Sequence, residues 1–355
     1  MNYQSIIAVF LLATGGLTAG TAQVATQIRQ EYEAAMRGWA MRLQTAVGPE
    51  AREAAAKSRP DAEEYGHRMW TELSGSLRSE WTLEFTPWLL EVAPGLMLDT
   101  RGGALKRSPL QEIMREVEQM HLKSPKVGRF CIAMAAYEDP VSLALVEKIE
   151  KENPDEKVQG QAAIAQAILL RSMGDGREVM LKRKEAVRRA IKLSWDVKVG
   201  DTTVGELAMD ESYIVKKLIV GREAPKVSGK DIAGVPLELK SFRGKIVVLA
   251  FWHSGSPDAQ QAIDLLTKLR TQNLGRPVEL LGVSRDSNET LRELKAKGVL
   301  PWRNFADADG KVSEDYRVRQ VPQVYVLDEK GIIRFIGKPG SFVELAVEDL
   351  VATME

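Results

Sequence analysis

Cysteine is nearly absent: Cys131 is the only one in 355 residues. One sulfur excludes an internal disulfide, a cysteine zinc finger and a working CxxC dithiol. Histidine is almost as scarce, with only His67, His121 and His253, which argues against a histidine-rich metal centre. No metal site and no cofactor are expected. There is no excess charge of either sign, with 49 basic and 49 acidic residues and a formal net charge of zero. Divided at Gly221, the chain carries 29 basic and 30 acidic residues before that point and 20 and 19 from it onward. Neither half is a polycation, so no nucleic-acid footprint and no polybasic membrane surface is expected. The N-terminal apolar run, Ile6 to Ala13, has eight residues, against about 20 for a membrane span. No transmembrane span is therefore expected in the mature chain. What is present is ordinary globular material: 44% apolar and 28% charged residues over a length that suggests two domains.

The first 28 residues carry no charged side chain, and Gly20-Thr21-Ala22 offers the small-x-small pattern accepted by a signal peptidase. Residues 1–22 read as a cleavable export signal, with cleavage before Gln23 and a periplasmic or secreted destination. Met1 to Ser5 depart from the usual pattern by supplying no Lys or Arg. No cysteine lies near the cleavage point, which excludes a lipoprotein anchor there.

Residues 23–218 read as a helical domain. Tyr65, Met69, Trp70 and Leu73 fall at helical spacing, as do Leu110, Ile113, Met114 and Val117. Asn153-Pro154-Asp155 is a stop and restart, because proline disfavours helix at the residue before it and suits the first turn after it. Val158, Ala162, Ala165, Ile168 and Leu169 form the next stripe, and Gly174-Asp175-Gly176 turns the chain into a returning helix. The pattern is a helical-hairpin array without a fixed repeat period. Trp70, Trp81 and Trp88, at helical spacing, are expected in its core. Cys131, within Phe130 to Ala136, is expected as a small buried hydrophobe.

At Gly221 the grammar changes. Ile246 to Trp252 is an unbroken apolar, β-rich run, the mark of a strand covered on both faces. A helix is expected from Pro257 to about Gln272, then a second buried strand from Val278 to Ser284, and a charged helix from Asn288 that closes at Gly298. Val324–Asp328 and Ile332–Ile336 make a hairpin, and Phe342–Met354 a last helix. Strands and helices alternating in this order imply an α/β sheet with helices on both faces.

Four stretches of this segment resemble the thioredoxin-like fold, specifically redoxins and exported thiol–disulfide oxidoreductases of the TlpA-like and AhpC/TSA type. They are Val220–Pro225, Leu239–Trp252, Val321–Asp328 and Gly331–Gly337. Together they cover about residues 219–355 in the family's order and spacing, which implies a thioredoxin-like domain there and a cis peptide bond before Pro322. The helical region resembles N-terminal extensions on some bacterial members. The expected architecture is thus α + α/β, a helical-hairpin array followed by a C-terminal thioredoxin-like α/β domain.

The family's reactive Cys-Pro-Pro-Cys follows the Phe-Trp pair, and here that stretch reads Ser256-Pro257-Asp258-Ala259. In the family, a cysteine at a helix N-terminus becomes thiolate and attacks a disulfide, and a second cysteine resolves the mixed disulfide. A serine hydroxyl and an alanine methyl do neither. Ser256 and Asp258 have a plainer role as cap and first-turn residues of the helix that follows. His253, Ser256 and Asp258 have the residue types of a serine triad, but three side chains of one tight turn do not readily place an imidazole between hydroxyl and carboxylate. Asp307-Ala308-Asp309-Gly310 echoes the start of a calcium loop without its later acidic ligands, and reads as a turn.

The resemblance then implies a redox-inactive module that binds an extended peptide or partner protein in a groove formed by Trp252, His253, Ser256, Pro257, Val321 and Pro322. Two other readings stay open. One is family-type oxidoreductase activity through Cys131 or a partner's cysteine; the other is a structural role of the helical array.

Overall fold

Capping chemistry sets where the N-terminal helices begin. The computed structural model describes residues 20–98, 107–137, 140–256 and 258–354. Residues 1–19, which carry most of the expected export signal, lie outside the described residues. Thr21 accepts from Val24 N–H and opens α1 (Ala22–Thr45). After α2 (Pro49–Lys57), Asp61 accepts from the amides of Glu63 and Glu64 and opens α3 (Ala62–Ser74). Short helices α4 (Thr86–Val92) and α5 (Pro94–Met97) follow. Ser108 and Gln111 then close a reciprocal capping box on α6 (Pro109–Glu116).

Next come α7 (Gly128–Met134), α8 (Pro140–Glu152) and α9 (Glu156–Leu169). The chain stops at Asn153 because its carboxamide donates to the carbonyls of Leu122 and Ser124 at 2.7 and 2.9 Å, while Asp155 caps the restart through Lys157 N–H at 2.8 Å. The expected stripes meet in one apolar core containing Met69, Leu73, Ile113, Met114, Phe130, Cys131, Val158 and Ala162. Trp70, Trp81 and Trp88 pack against this core partly buried. One feature had no sequence signal: Val117–His121 is wound as a π-helical turn, and His121 Nε2 bonds the Leu77 carbonyl at 2.7 Å.

By packing, the chain forms two units, one of residues 1–172 and 188–205 and the other of residues 173–187 and 206–355. The sequence expectation places the boundary between residues 218 and 219; packing assigns most of α11 (Val204–Lys217) and the start of α10 (Arg177–Ser194) to the second unit. A buried charge cluster binds these pieces. Arg183 is fully buried and reaches Glu211 at 3.2 Å and Asp175 at 3.4 Å, and Asp175 also accepts from Val220 N–H at 3.1 Å. A two-residue ribbon, β1 (Lys198–Val199) and β2 (Thr202–Thr203), belongs to the first unit.

The second unit is built on a sheet. A small hairpin of β3 (Ser228–Lys230) and β4 (Pro236–Glu238) precedes it. Then come β5 (Ile246–Trp252), α12 (Ala259–Gln272), β6 (Val278–Ser284), α13 (Asn288–Ala296), β7 (Arg303–Ala306), α14 (Lys311–Asp315), β8 (Gln323–Leu327), β9 (Ile333–Gly337) and α15 (Ser341–Met354). The five strands run in the order β7-β6-β5-β8-β9, with β5, β6 and β7 parallel and β8 and β9 antiparallel. This is a thioredoxin-like sheet.

Central β5 shows why its sequence is apolar throughout. Ile246, Val248, Ala250 and Trp252 join one core with Leu266 of α12, Leu291 of α13 and Val347 of α15. The alternate residues Val247, Leu249 and Phe251 join the opposite core with Ile214 and Leu218. Gly298 ends α13 in a left-handed conformation, with Gly298 N–H on Lys295 O and Val299 N–H on Leu294 O, a Schellman closure. Strand β7 lacks a sequence signal, since Arg303 and Asn304 break any apolar pattern.

Candidate functional site

The turn that follows β5 is held from below and from one side. Below it, the Trp252 indole N–H donates to Asn304 Oδ1 at 3.1 Å, with both side chains buried. Gly282 on β6 makes room for this pair, because a Cβ there would overlap the Asn304 carboxamide. Trp252 is therefore a core residue at 1% exposure, which corrects its expected place in the binding groove. From the side, Asp286 beyond the end of β6 accepts Ser254 N–H and Ser254 Oγ–H, each at 2.8 Å, and Ser284 Oγ–H at 2.9 Å.

Across the turn lies the segment leading into β8. Ser256 Oγ donates to the Val321 carbonyl at 3.1 Å, and the Val321–Pro322 bond is cis, as the resemblance implies. Ser256 is almost buried, Pro322 is buried, and His253 and Val321 are half-buried. The expected helix cap is overturned. Helix α12 starts at Ala259 with Asp258 as its cap residue and no side-chain capping bond, because the Ser256 hydroxyl is spent on Val321. Pro257 lies outside the described residues. The structure thus brings Ser256 and Val321 into contact, with His253 and Ala259 flanking Ser256 in the chain.

The approach to Val321 is braced by residues that sequence reasoning missed. Asp210 on α11 pairs with Arg317 at 2.9 Å and with Arg319. The Arg317 guanidinium stacks over Tyr213 at 4.5 Å, and Arg317 itself has a positive φ of 51°. Beneath them Phe251, Tyr316 and Tyr325 stack at centroid distances of 5.1 to 5.8 Å. Tyr316 donates its hydroxyl to the Pro225 carbonyl at 2.8 Å, and burial pushes that hydroxyl upward in pKa. Asp286 had one usable signal, its position just past the carboxyl end of a strand beside β5, where α/β sheets place their sites. Asp210 and Tyr213 had none, since their helix is remote in sequence from the loop they hold.

The alternative chemistries find no geometry. Among the described residues the Ser256 hydroxyl bonds Val321 and not His253, so no triad forms. Cys131 is fully buried in the first unit, and desolvation pushes its thiol up to about 12. It therefore supplies no thiolate near neutral pH, which corrects the reading in which it replaces the missing cysteines. Asp307 accepts from the amides of Val312 and Ser313 at 2.8 and 2.9 Å, so it shapes the start of α14. No group of three His, Cys, Asp or Glu side chains suited to a metal occurs among the described residues. Nor is any described helix long and apolar enough to cross a membrane.

The AhpC/TSA family pattern matches residues 220–336. Over 120 residues the chain is 32% identical to the thioredoxin-like protein YneN of Bacillus subtilis, covering 33% of this chain and 69% of that protein. The chain belongs to the thioredoxin-like redoxin family. This redoxin is also 25% identical over 124 residues to the thiol-disulfide oxidoreductase ResA of Bacillus thuringiensis, covering 34% of this chain and 72% of that protein. Among solved structures it is similar to the thioredoxin domain of a thiol-disulfide oxidoreductase from Bacteroides vulgatus, at 25% identity and a TM-score of 0.35, over 38% of this chain and 99% of that one. Ser256 and Ala259, which the sequence resemblance aligns with the family's two reactive cysteines, carry no sulfur.

Proposed function

We propose that this redoxin is an exported, redox-inactive binding protein. Its C-terminal domain holds an extended peptide or a segment of a partner protein beside the Ser256 turn and the Val321–Pro322 segment. The observation that carries this reading is the Ser256–Val321 bond: it keeps turn and loop together at 3.1 Å, and neither Ser256 nor Ala259 carries sulfur. A disulfide substrate needs a thiolate to attack it and a second thiol for release, whereas a peptide needs only backbone partners and a rigid floor. Trp252, Asn304 and Asp286 supply that floor. Export rests on the uncharged first 28 residues and the small residues at Gly20 to Ala22. Cleavage before Gln23 retains Ala25 and Ile28, the α1 residues buried in the helical core.

Two measurements test the reading. The purified chain is expected to leave insulin disulfides unreduced in the presence of dithiothreitol beyond the rate of the reagent alone. A photo-crosslinking residue at His253 is expected to trap a periplasmic or secreted polypeptide, and Gly255→Trp, which fills the space beside His253, to abolish the adduct. Turnover of insulin, or an adduct indifferent to Gly255→Trp, overturns it.

A further inference from the structure

Helix α15 exposes an apolar pair. Val343, Val347 and Val351 turn one face of it into the core beneath β5, while Phe342 and Leu345, three residues apart and so neighbours on the helix surface, are 71% and 58% exposed. Scattered apolar side chains on a surface mean little; what singles out this pair is where it stands. Val324, the second residue of β8, pairs with Gly337, the last residue of β9, and α15 begins four residues later at Ser341. The first turn of α15 is therefore at the same end of the sheet as Val321–Pro322, which leads into β8. Cations bracket that segment. Lys338, the next residue beyond the Val324–Gly337 pair, lies level with Gln323, is exposed, and has no carboxylate partner among the described residues. On the other flank Arg319 is 62% exposed and shares the Asp210 carboxylate with Arg317, so two cations answer one acid. Glu344, the acid in the first turn of α15, is held by Lys268 at 2.5 Å. The exposed charge on the Ser256 turn is of the other sign, from Asp258.

We propose that the segment held beside Val321 is an acidic, apolar peptide that continues onto α15, with a carboxylate side chain facing Lys338 and Arg319 and an apolar side chain lying on Phe342 and Leu345. This rests on the reading of the Ser256–Val321 groove as a peptide site, and names the chemistry of its occupant. An extended peptide advances about 3.3 Å per residue and neighbouring strands lie about 4.8 Å apart, so three or four residues carry it from Val321 across the end of β9 to α15. An apolar anchor beside a charged rim is the anatomy of a specific contact, and rim charges select the partner more than they add affinity. Lys338 is the selecting residue, because it takes a carboxylate without first giving one up.

The test titrates the full chain into three fluorescein-labelled peptides and follows their anisotropy. Each peptide is three repeats of one tetrapeptide: Thr-Phe-Glu-Val, Thr-Phe-Lys-Val or Thr-Ser-Glu-Ser. The first is expected to bind about tenfold more tightly than either of the others. Lys338→Glu is expected to cut the preference for Glu over Lys about fivefold, the worth of one exposed ion pair. Phe342→Ser is expected to weaken the first peptide about tenfold, through lost apolar contact. Both side chains are exposed, and an unchanged urea midpoint confirms that the fold is intact. Glu and Lys peptides bound alike, or variants that bind like the wild type, overturn the proposal. Gly255→Trp separates it from the groove reading. Binding lost in Gly255→Trp but indifferent to Phe342→Ser and Lys338→Glu overturns this inference and keeps the groove. Binding lost in Phe342→Ser but indifferent to Gly255→Trp supports the α15 surface and overturns the groove reading. A chain that binds none of the peptides overturns both.

Discussion

Ser256 donates its hydroxyl to the carbonyl of Val321, 65 residues further along the chain, at 3.1 Å. The bond ties the turn after β5 to the segment entering β8, and it occupies the Ser256 hydroxyl.

Ser256→Ala removes a nearly buried hydrogen bond and leaves the Val321 carbonyl to find another donor. The expected loss is about 1 kcal/mol. It is read as a lower urea midpoint at unchanged slope, with the fold intact by circular dichroism. A midpoint equal to wild type shows that the bond contributes nothing.

The paired substitution Ser256→Cys with Ala259→Cys restores two sulfurs at the spacing of a dithiol motif, with the second at the first residue of α12. The double variant is expected to oxidise to an intramolecular disulfide and to reduce insulin, and each single variant to do neither, because attack and resolution need both thiols. Free-thiol titration of oxidised protein checks this: the double variant should show one fewer reactive pair than its reduced form. An inert double variant places the defect in the groove and not in the missing sulfur.

Cys131 is fully buried, with its thiol raised from 9.0 to about 12 by desolvation. In the native state it is expected to resist a thiol reagent at pH 8 and to react promptly in guanidinium chloride. The sign of the pH dependence follows from the direction of the shift. The unfolded thiol ionises near 9 while the folded one stays protonated, so the contribution to stability is complete below pH 9 and is lost as pH rises toward 12. Denaturant midpoints of wild type and Cys131→Ala measured from pH 8 to 10.5 check it: the difference between them should change with pH in that direction.

Arg183 and Glu211 are both buried and 3.2 Å apart. Glu211→Ala leaves the Arg183 charge with Asp175 as its acidic neighbour and is expected to cost about 3–5 kcal/mol. Replacing both with Met is expected to cost less than the Glu211 change alone, because the fully buried guanidinium is then gone and the Asp175 charge that loses it is partly exposed to water. A double-mutant cycle by urea denaturation measures the coupling, and additive costs exclude it.

Much of the second unit was legible in the chain because β5 and β6 are short apolar runs that only a two-sided sheet can cover, and because Gly298 and the Val321-Pro322 pair have strong local preferences. The absence of sulfur at positions 256 and 259 was equally legible. Strand β7 was not, because its Arg303 and Asn304 have functions that exist only in three dimensions: one answers Asp231 and the other holds the Trp252 indole.

The order of residues by itself determined the chemistry that is excluded, the two-part architecture and the sheet that the second part forms, because these depend on composition and on periodicities of 2 and 3.6 residues. Tertiary structure alone decided what each polar group at the site does. Ser256 reads locally as a helix cap and Trp252 as a groove residue, yet the first is drawn to a carbonyl 65 residues away and the second is turned into the core. Hydrogen bonds between distant segments outrank local capping when burial removes water as the competing partner, and sequence pattern holds no record of which distant segment arrives.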